Sequence, residues 1–196
     1  MFINYITLML INLAAGLVLL ADFVYRGLDG GNLKRWVPGF GLVGAIALVT
    51  GLHMTLTWPV PGSFNISFGE TTVLFGALYV ATAIAMAQGW DLLSLAIYAC
   101  FAGLTSVLIG LRIISLGQTQ QPLVAGLGFI LTGLGGVFAA PTLAYLRGSR
   151  GWRTLGALVL LLAALVWAII GYRAFWGHLD GFSDWQPPTM GVQPQD

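Results

Sequence analysis

Few residues in this chain can do chemistry. The first group is a set of ionisable side chains in or beside long apolar runs, where charge is costly and tends to be functional. His53 shares about 60° of one helix face with Thr50 and Thr57, a polar stripe better suited to protein, water or a cavity than to lipid. Glu70 follows a proline-rich break, and Arg112 lies in the outer third of a later apolar run. An ion pair between them would complete an outer polar cluster of His53, Glu70 and Arg112. His178 and Asp180 follow the last run in Trp176-Gly-His-Leu-Asp180. With His53 and Glu70 they would form an N/O-ligand set suited to zinc, copper or iron, or the two histidines would ligate one haem axially. The plainer readings are a hydrogen-bonded structural histidine and an arginine that snorkels to the headgroups. Asp22 and Arg26, four residues apart, face each other as a helix ion pair.

The second group lies along one helix. Thr71, Phe75, Tyr79, Thr82 and Met86 fall within roughly 80° of one another. Ordinary packing produces such stripes, but rings and hydroxyls on one face also suit the wall of a narrow path for a small neutral solute. Ring edges would set its diameter and hydroxyls would exchange hydrogen bonds. Enzyme motifs are missing: there is no His-Glu-x-x-His, paired-cysteine motif, phosphate-binding glycine loop or Gly-x-Ser-x-Gly elbow. These absences weigh against an enzyme without deciding the question, and no cofactor is expected beyond that alternative metal or haem.

The elements that hold these residues follow from composition. Of 196 residues, 58% are hydrophobic and 8% charged, against roughly 25% charged in soluble domains. A water-facing surface cannot be built from this pool, so the partner is the lipid bilayer. No basic cluster exists to bind nucleic acid. The lone Cys100 excludes an internal disulfide framework and reads as a packing residue.

A spanning helix needs about 20 apolar residues, and six runs qualify: 3–25, 38–58, 70–88, 92–115, 122–146 and 153–176. The expected fold is all-α, a polytopic bundle of six transmembrane helices in a single domain over 1–196, with a tail over 177–196 that includes Trp185-Gln-Pro-Pro. The first run lacks a signal-peptide pattern and is expected to remain as a span. Arg26, Lys34, Arg35, Arg147, Arg150 and Arg153 all fall in or beside the first and fifth loops, six of the eight basic residues. The positive-inside rule then puts loops 1, 3 and 5 in the cytoplasm and both termini outside the plasma (inner) membrane. Trp36, Trp58, Trp90, Trp152 and Trp176 sit near span ends and read as interfacial anchors. Gly128, Thr132, Gly136 and Ala140 form a small-residue ridge for close helix approach, within the chain or between subunits. Pro141 should kink the fifth span. Asn65-Ile-Ser67, formally a glycosylation acceptor, reads as chance.

Two resemblances add to this. Thr57-Trp-Pro-Val-Pro-Gly-Ser-Phe-Asn-Ile-Ser-Phe-Gly-Glu70 resembles the signature of an uncharacterised family of predicted prokaryotic six-span membrane proteins. Leu74-Phe-Gly-Ala-Leu-Tyr79, an alanine-rich half-helix and Gly89-Trp-Asp91 resemble, over about 35 residues, the acid-activated urea channel and amide transporter family. That likeness implies six spans with both termini outside, a hexamer with one pore per protomer, and an aromatic pair narrowing the pore at Phe75 and Tyr79. In place of that family's tryptophan-rich fifth helix, this chain has Gly126-Leu-Gly-Phe-Ile-Leu-Thr-Gly-Leu-Gly-Gly136. The expected function is a channel or transporter-like pore for a small neutral or weakly polar solute, in a homo-oligomer. The alternatives are a metal- or haem-binding membrane protein using the outer cluster, and an accessory subunit of a membrane complex.

Overall fold

The computed structural model describes residues 5–184, all helical or in short turns. Six helices are long and apolar enough to cross a membrane. They are α1 (Ile6–Arg26), α2 (Val37–Thr57), α3 (Thr71–Gln88, entered through a π-helical turn at Asn65–Glu70), α4 (Leu93–Leu116), α5 (Pro122–Val137, its span continued through short helical segments to Leu146) and α6 (Arg150–Gly181). At 1.5 Å per residue, the 21 residues of α1 reach about 30 Å, the thickness of the bilayer's hydrocarbon core. The expected boundaries hold to within a few residues except at the last helix. There α6 continues through Gly181, so His178 and Asp180 lie on it rather than in an irregular tail. Trp185-Gln-Pro-Pro lies outside the described residues.

Each helix packs on the next and α6 packs back on α1, which closes the six into a ring. Contact is most extensive within three pairs, α2–α3, α4–α5 and α6–α1, and thinnest across α3–α4. Glycines allow the close pairs. In α2–α3, a Cβ added at Gly44 would lie 2.7 Å from the Val80 nitrogen, and one at Gly76 would lie 2.6 Å from the Leu48 nitrogen. In α4–α5, a Cβ on Gly103 would meet the Gly133 carbonyl oxygen at 2.5 Å, and one on Gly110 the Gly126 oxygen at 2.6 Å. Lipid tails are as apolar as leucine, so van der Waals fit rather than water exclusion drives these contacts. The ridge on α5 works inside the chain: Gly128 and Thr132 lie against Trp167 of α6, and Gly136 against the Ala99 carbonyl of α4. The ridge reading missed the more crowded pair, Gly126 and Gly133, because these are seven residues apart rather than four.

Interhelix bonds define the two ends of the ring. At one end the α1–α2 turn meets α6 through Asp29 and Arg153; this is the basic end. At the other, Gln118 of the α4–α5 turn donates to Ser63 of the α2–α3 loop at 2.8 Å; this is the lid end. Pro141 has no N–H to offer the Val137 carbonyl. Accordingly α5 breaks at Phe138 and continues as a short turn, Ala139–Pro141, and a π segment, Thr142–Leu146.

The tryptophans divide. Trp58, Trp90 and Trp176 are exposed as anchors should be, but Trp36 is 4% exposed. Its indole donates to Asp22 at 3.0 Å, its ring meets Phe23 edge-on and Arg35 lies over it. Trp152 is half-buried and donates to the Thr142 hydroxyl at 2.9 Å.

Candidate functional site: a cavity inside the ring

A cavity of 430 Å³ occupies the centre of the ring. It runs from Met9, Thr71, Phe129 and Trp167 toward the lid end to Leu28, Leu92, Leu143 and Trp152 at the basic end. Of the stripe on α3, Thr71, Phe75, Tyr79 and Thr82 are on its wall. Met86 is not: it is 1% exposed and packed with Phe23, Trp36, Phe40 and Ala83. Tyr79 crosses the ring to donate to the Gly16 carbonyl at 2.6 Å and stacks on Phe40. Phe75 lies beside it, 4.2 Å between ring centroids, with its tip against Gly16. The backbone gap at Gly16 therefore holds both rings of α3.

The wall is mostly apolar, and its hydroxyl protons are largely spent. Ser106 donates to the Phe129 carbonyl and Thr132 to the Gly128 carbonyl, each at 2.8 Å, and Thr71 donates to the Ser67 carbonyl. One amide proton of Asn12 goes to the Val43 carbonyl at 2.9 Å. What these groups still offer is oxygen lone pairs and the second amide proton of Asn12. Asn12 and Ser106 were not singled out in the sequence, and Thr132 only as part of the small-residue ridge. Asn12 carried a usable signal, a carboxamide in mid-span; the two hydroxyls did not, because such residues are common in helices bonded to their own backbone.

Toward the lid end the ring is filled. Phe68, Phe129 and Trp167 meet edge to face, with Phe129 and Trp167 centroids 5.0 Å apart and perpendicular. Met54, Val60 and Ile113 complete this packing, and Met54 and Ile113 have no exposed surface. The loop that supplies Val60 and Phe68 is built around two features. Trp58 ends α2 in the left-handed region, φ 47°, with prolines following at 59 and 61, a chain that cannot continue as helix. Asn65 then ties the loop to itself: it donates to the Val60 and Gly62 carbonyls and accepts from the Val60 N–H. At 1% exposure it is no glycosylation acceptor.

Asn65→Ala removes those bonds and strands buried carbonyls. At about 1 kcal/mol per bond, plus the desolvation of each orphan, the cost should reach roughly 2–4 kcal/mol. Thermal unfolding in detergent measures it. A variant as stable as wild type would show that the loop does not depend on Asn65.

The outer polar residues do not converge. Nδ1 of His53 lies 2.7 Å from the Tyr5 hydroxyl and 3.5 Å from that of Thr57, so the stripe ties α2 to the start of α1. Thr50 bonds its own helix at the Ile46 carbonyl. Glu70 is exposed, and Arg112 donates to Ser115 one turn on in α4 at 3.4 Å. The ion pairs among the described residues are Asp22–Arg26, as expected from their spacing, and Asp29–Arg153. His178 packs its ring edge-on to Phe182. His53, Glu70, His178 and Asp180 are not gathered: among the described residues, no three His, Cys, Asp or Glu side chains share a site.

The fold and its cavity define a class, a six-helix membrane protein built as a closed ring around an internal chamber. Residues 1–181 match the model of the family described as "Protein of unknown function (DUF981)", and the chain belongs to that family. No curated protein and no solved structure matches it.

Proposed function

We propose that the protein is a channel or transporter-like pore for a small neutral, weakly polar solute, with the ring cavity as its solute chamber. The observation that carries this reading is Phe75 and Tyr79, side by side on the wall of the ring cavity, with Thr71 and Thr82 on the same wall. The free lone pairs of that wall, which outnumber its free protons, match a solute that donates hydrogen bonds, such as ammonia, an alcohol or a simple amide. They disfavour anions, which need donors, and a charged species would lose its hydration in a mostly apolar chamber. With the basic end in the cytoplasm, the chamber extends inward, both termini lie outside, and the aromatic packing at the lid end is the barrier. Motion of the Asn65 loop, which supplies Phe68, would open it.

Stopped-flow measurements on proteoliposomes test this, with ammonia, short alcohols, short amides, urea and glycerol as solutes. Phe75 already rests on Gly16, so a larger ring has to extend into the chamber. Phe75→Trp should therefore slow whichever solute permeates several-fold, and Phe68→Ala should speed it. Flux equal to that of protein-free vesicles for every solute, or flux indifferent to both substitutions, rules the reading out.

A further inference from the structure

The basic end holds a second cavity outside the ring. It is a cleft of 350 Å³ between the ends of α1 and α6, lined by Tyr25, Arg26, Asp29, Arg150 and Arg153. Three guanidinium groups face one carboxylate there. Arg26 has a further partner in Asp22, Nε to Oδ1 3.0 Å, which leaves the group with an excess of positive charge. Arg153 is 5% exposed. It donates to Asp29 through one terminal nitrogen, while its Nε–H has no partner among the described residues. Asp29 is a weak counter-ion, with 64% of its side chain in solvent. Arg150 lies against the Tyr25 hydroxyl and opens α6; Ser149 caps the Trp152 N–H, which leaves the first N–H groups of the helix, at Arg150 and Gly151, at the same end.

Removing a guanidinium from water costs several kcal/mol unless its donors are met. The intrachain partners here meet them incompletely. Guanidinium forks, a phenol and helix N–H groups are the donor set that proteins use for phosphate oxygens. The cleft lies at the ends of two membrane-spanning helices, the level of lipid headgroups. We infer that this cleft binds a phosphate-bearing anion, held by Arg26, Arg150 and Arg153 between α1 and α6. The same chemistry is offered by an anionic phospholipid headgroup and by free phosphate. Because α6–α1 is the pair that closes the ring, an occupant here would brace the closure independently of any solute in the central chamber.

The test uses full-length protein in a neutral detergent, with unfolding temperature and native mass spectrometry as readouts. It is titrated at constant ionic strength with phosphatidylglycerol, phosphatidylcholine, inorganic phosphate and sodium chloride. Stabilisation with retained adducts for phosphatidylglycerol alone assigns a lipid headgroup. Stabilisation by inorganic phosphate beyond that by chloride assigns free phosphate. In either case Arg150→Gln should weaken binding by about tenfold, the loss of one charge-assisted bond, and Arg26→Gln should weaken it also. Lys34→Gln, at the same end but outside the cleft, should leave it unchanged. Arg150 and Arg26 are exposed, so these variants should fold. Equal responses to all four additives, or equal affinity in Arg150→Gln and Lys34→Gln, overturn the inference.

Discussion

Replacing Gly103 with valine is expected to abolish the folded state or to cost about 3 kcal/mol or more, the upper range for overpacking. A Cβ at this position would lie 2.5 Å from the Gly133 oxygen and 2.6 Å from the Val137 nitrogen. Both obstacles are backbone atoms, so no rotamer change relieves the clash. The two helices must separate, and with them the tightest pair in the ring. Alanine should show much of the effect, because the first carbon makes the collision. Gly177→Ala is the matched control: that glycine is also helical, and nothing lies within 4 Å of its added Cβ. There alanine should be neutral or stabilise by up to about 1 kcal/mol. Unfolding temperatures of the three variants in one detergent settle it. A Gly103→Val protein that unfolds with the wild type would mean that α4 and α5 do not pack as described.

Trp167→Ala should be the most damaging truncation in the chamber, at roughly 3–5 kcal/mol. The ring is 1% exposed. It meets Phe129 and Phe68 edge to face, donates to the Thr132 hydroxyl at 2.9 Å and fills the space that Gly128 leaves on α5. Its loss removes those contacts and enlarges the chamber toward the lid end. Trp167→Phe keeps much of the volume but loses the indole donor, so it should cost less. Chemical denaturation of both variants provides the comparison. If alanine costs no more than phenylalanine, Trp167 is not a packing centre. If the proposed function holds, a folded Trp167→Ala protein should also conduct faster, because the barrier has lost one of its three rings.

How much of this was readable beforehand differs between fold and site. Six spans, the break at Trp58 and Pro59 and the kink at Pro141 are properties of single segments. Apolar length, a missing N–H or a left-handed residue acts through its nearest neighbours. The α3 stripe was readable for the same reason, since residues four apart share a helix face whatever the helix packs against. Met86 shows where that stops: it shares the stripe's face, but the wall curves away from it toward Phe23 and Trp36. The polar residues proved less readable still. His53 meets Tyr5, 48 positions away in the chain, and Glu70 and Arg112 remain apart.

By itself the sequence determined that the chain is a bundle of six membrane helices with six of its eight basic residues in or beside two loops. Hydrophobic length and local backbone chemistry suffice for that. Only the tertiary structure decided that the six close into a ring, that glycines seven residues apart seat α4 against α5, and that a chamber remains at the centre. In an apolar medium almost any helix face can meet another without penalty, so pairing is chosen by shape, and shape appears only when the helices are packed.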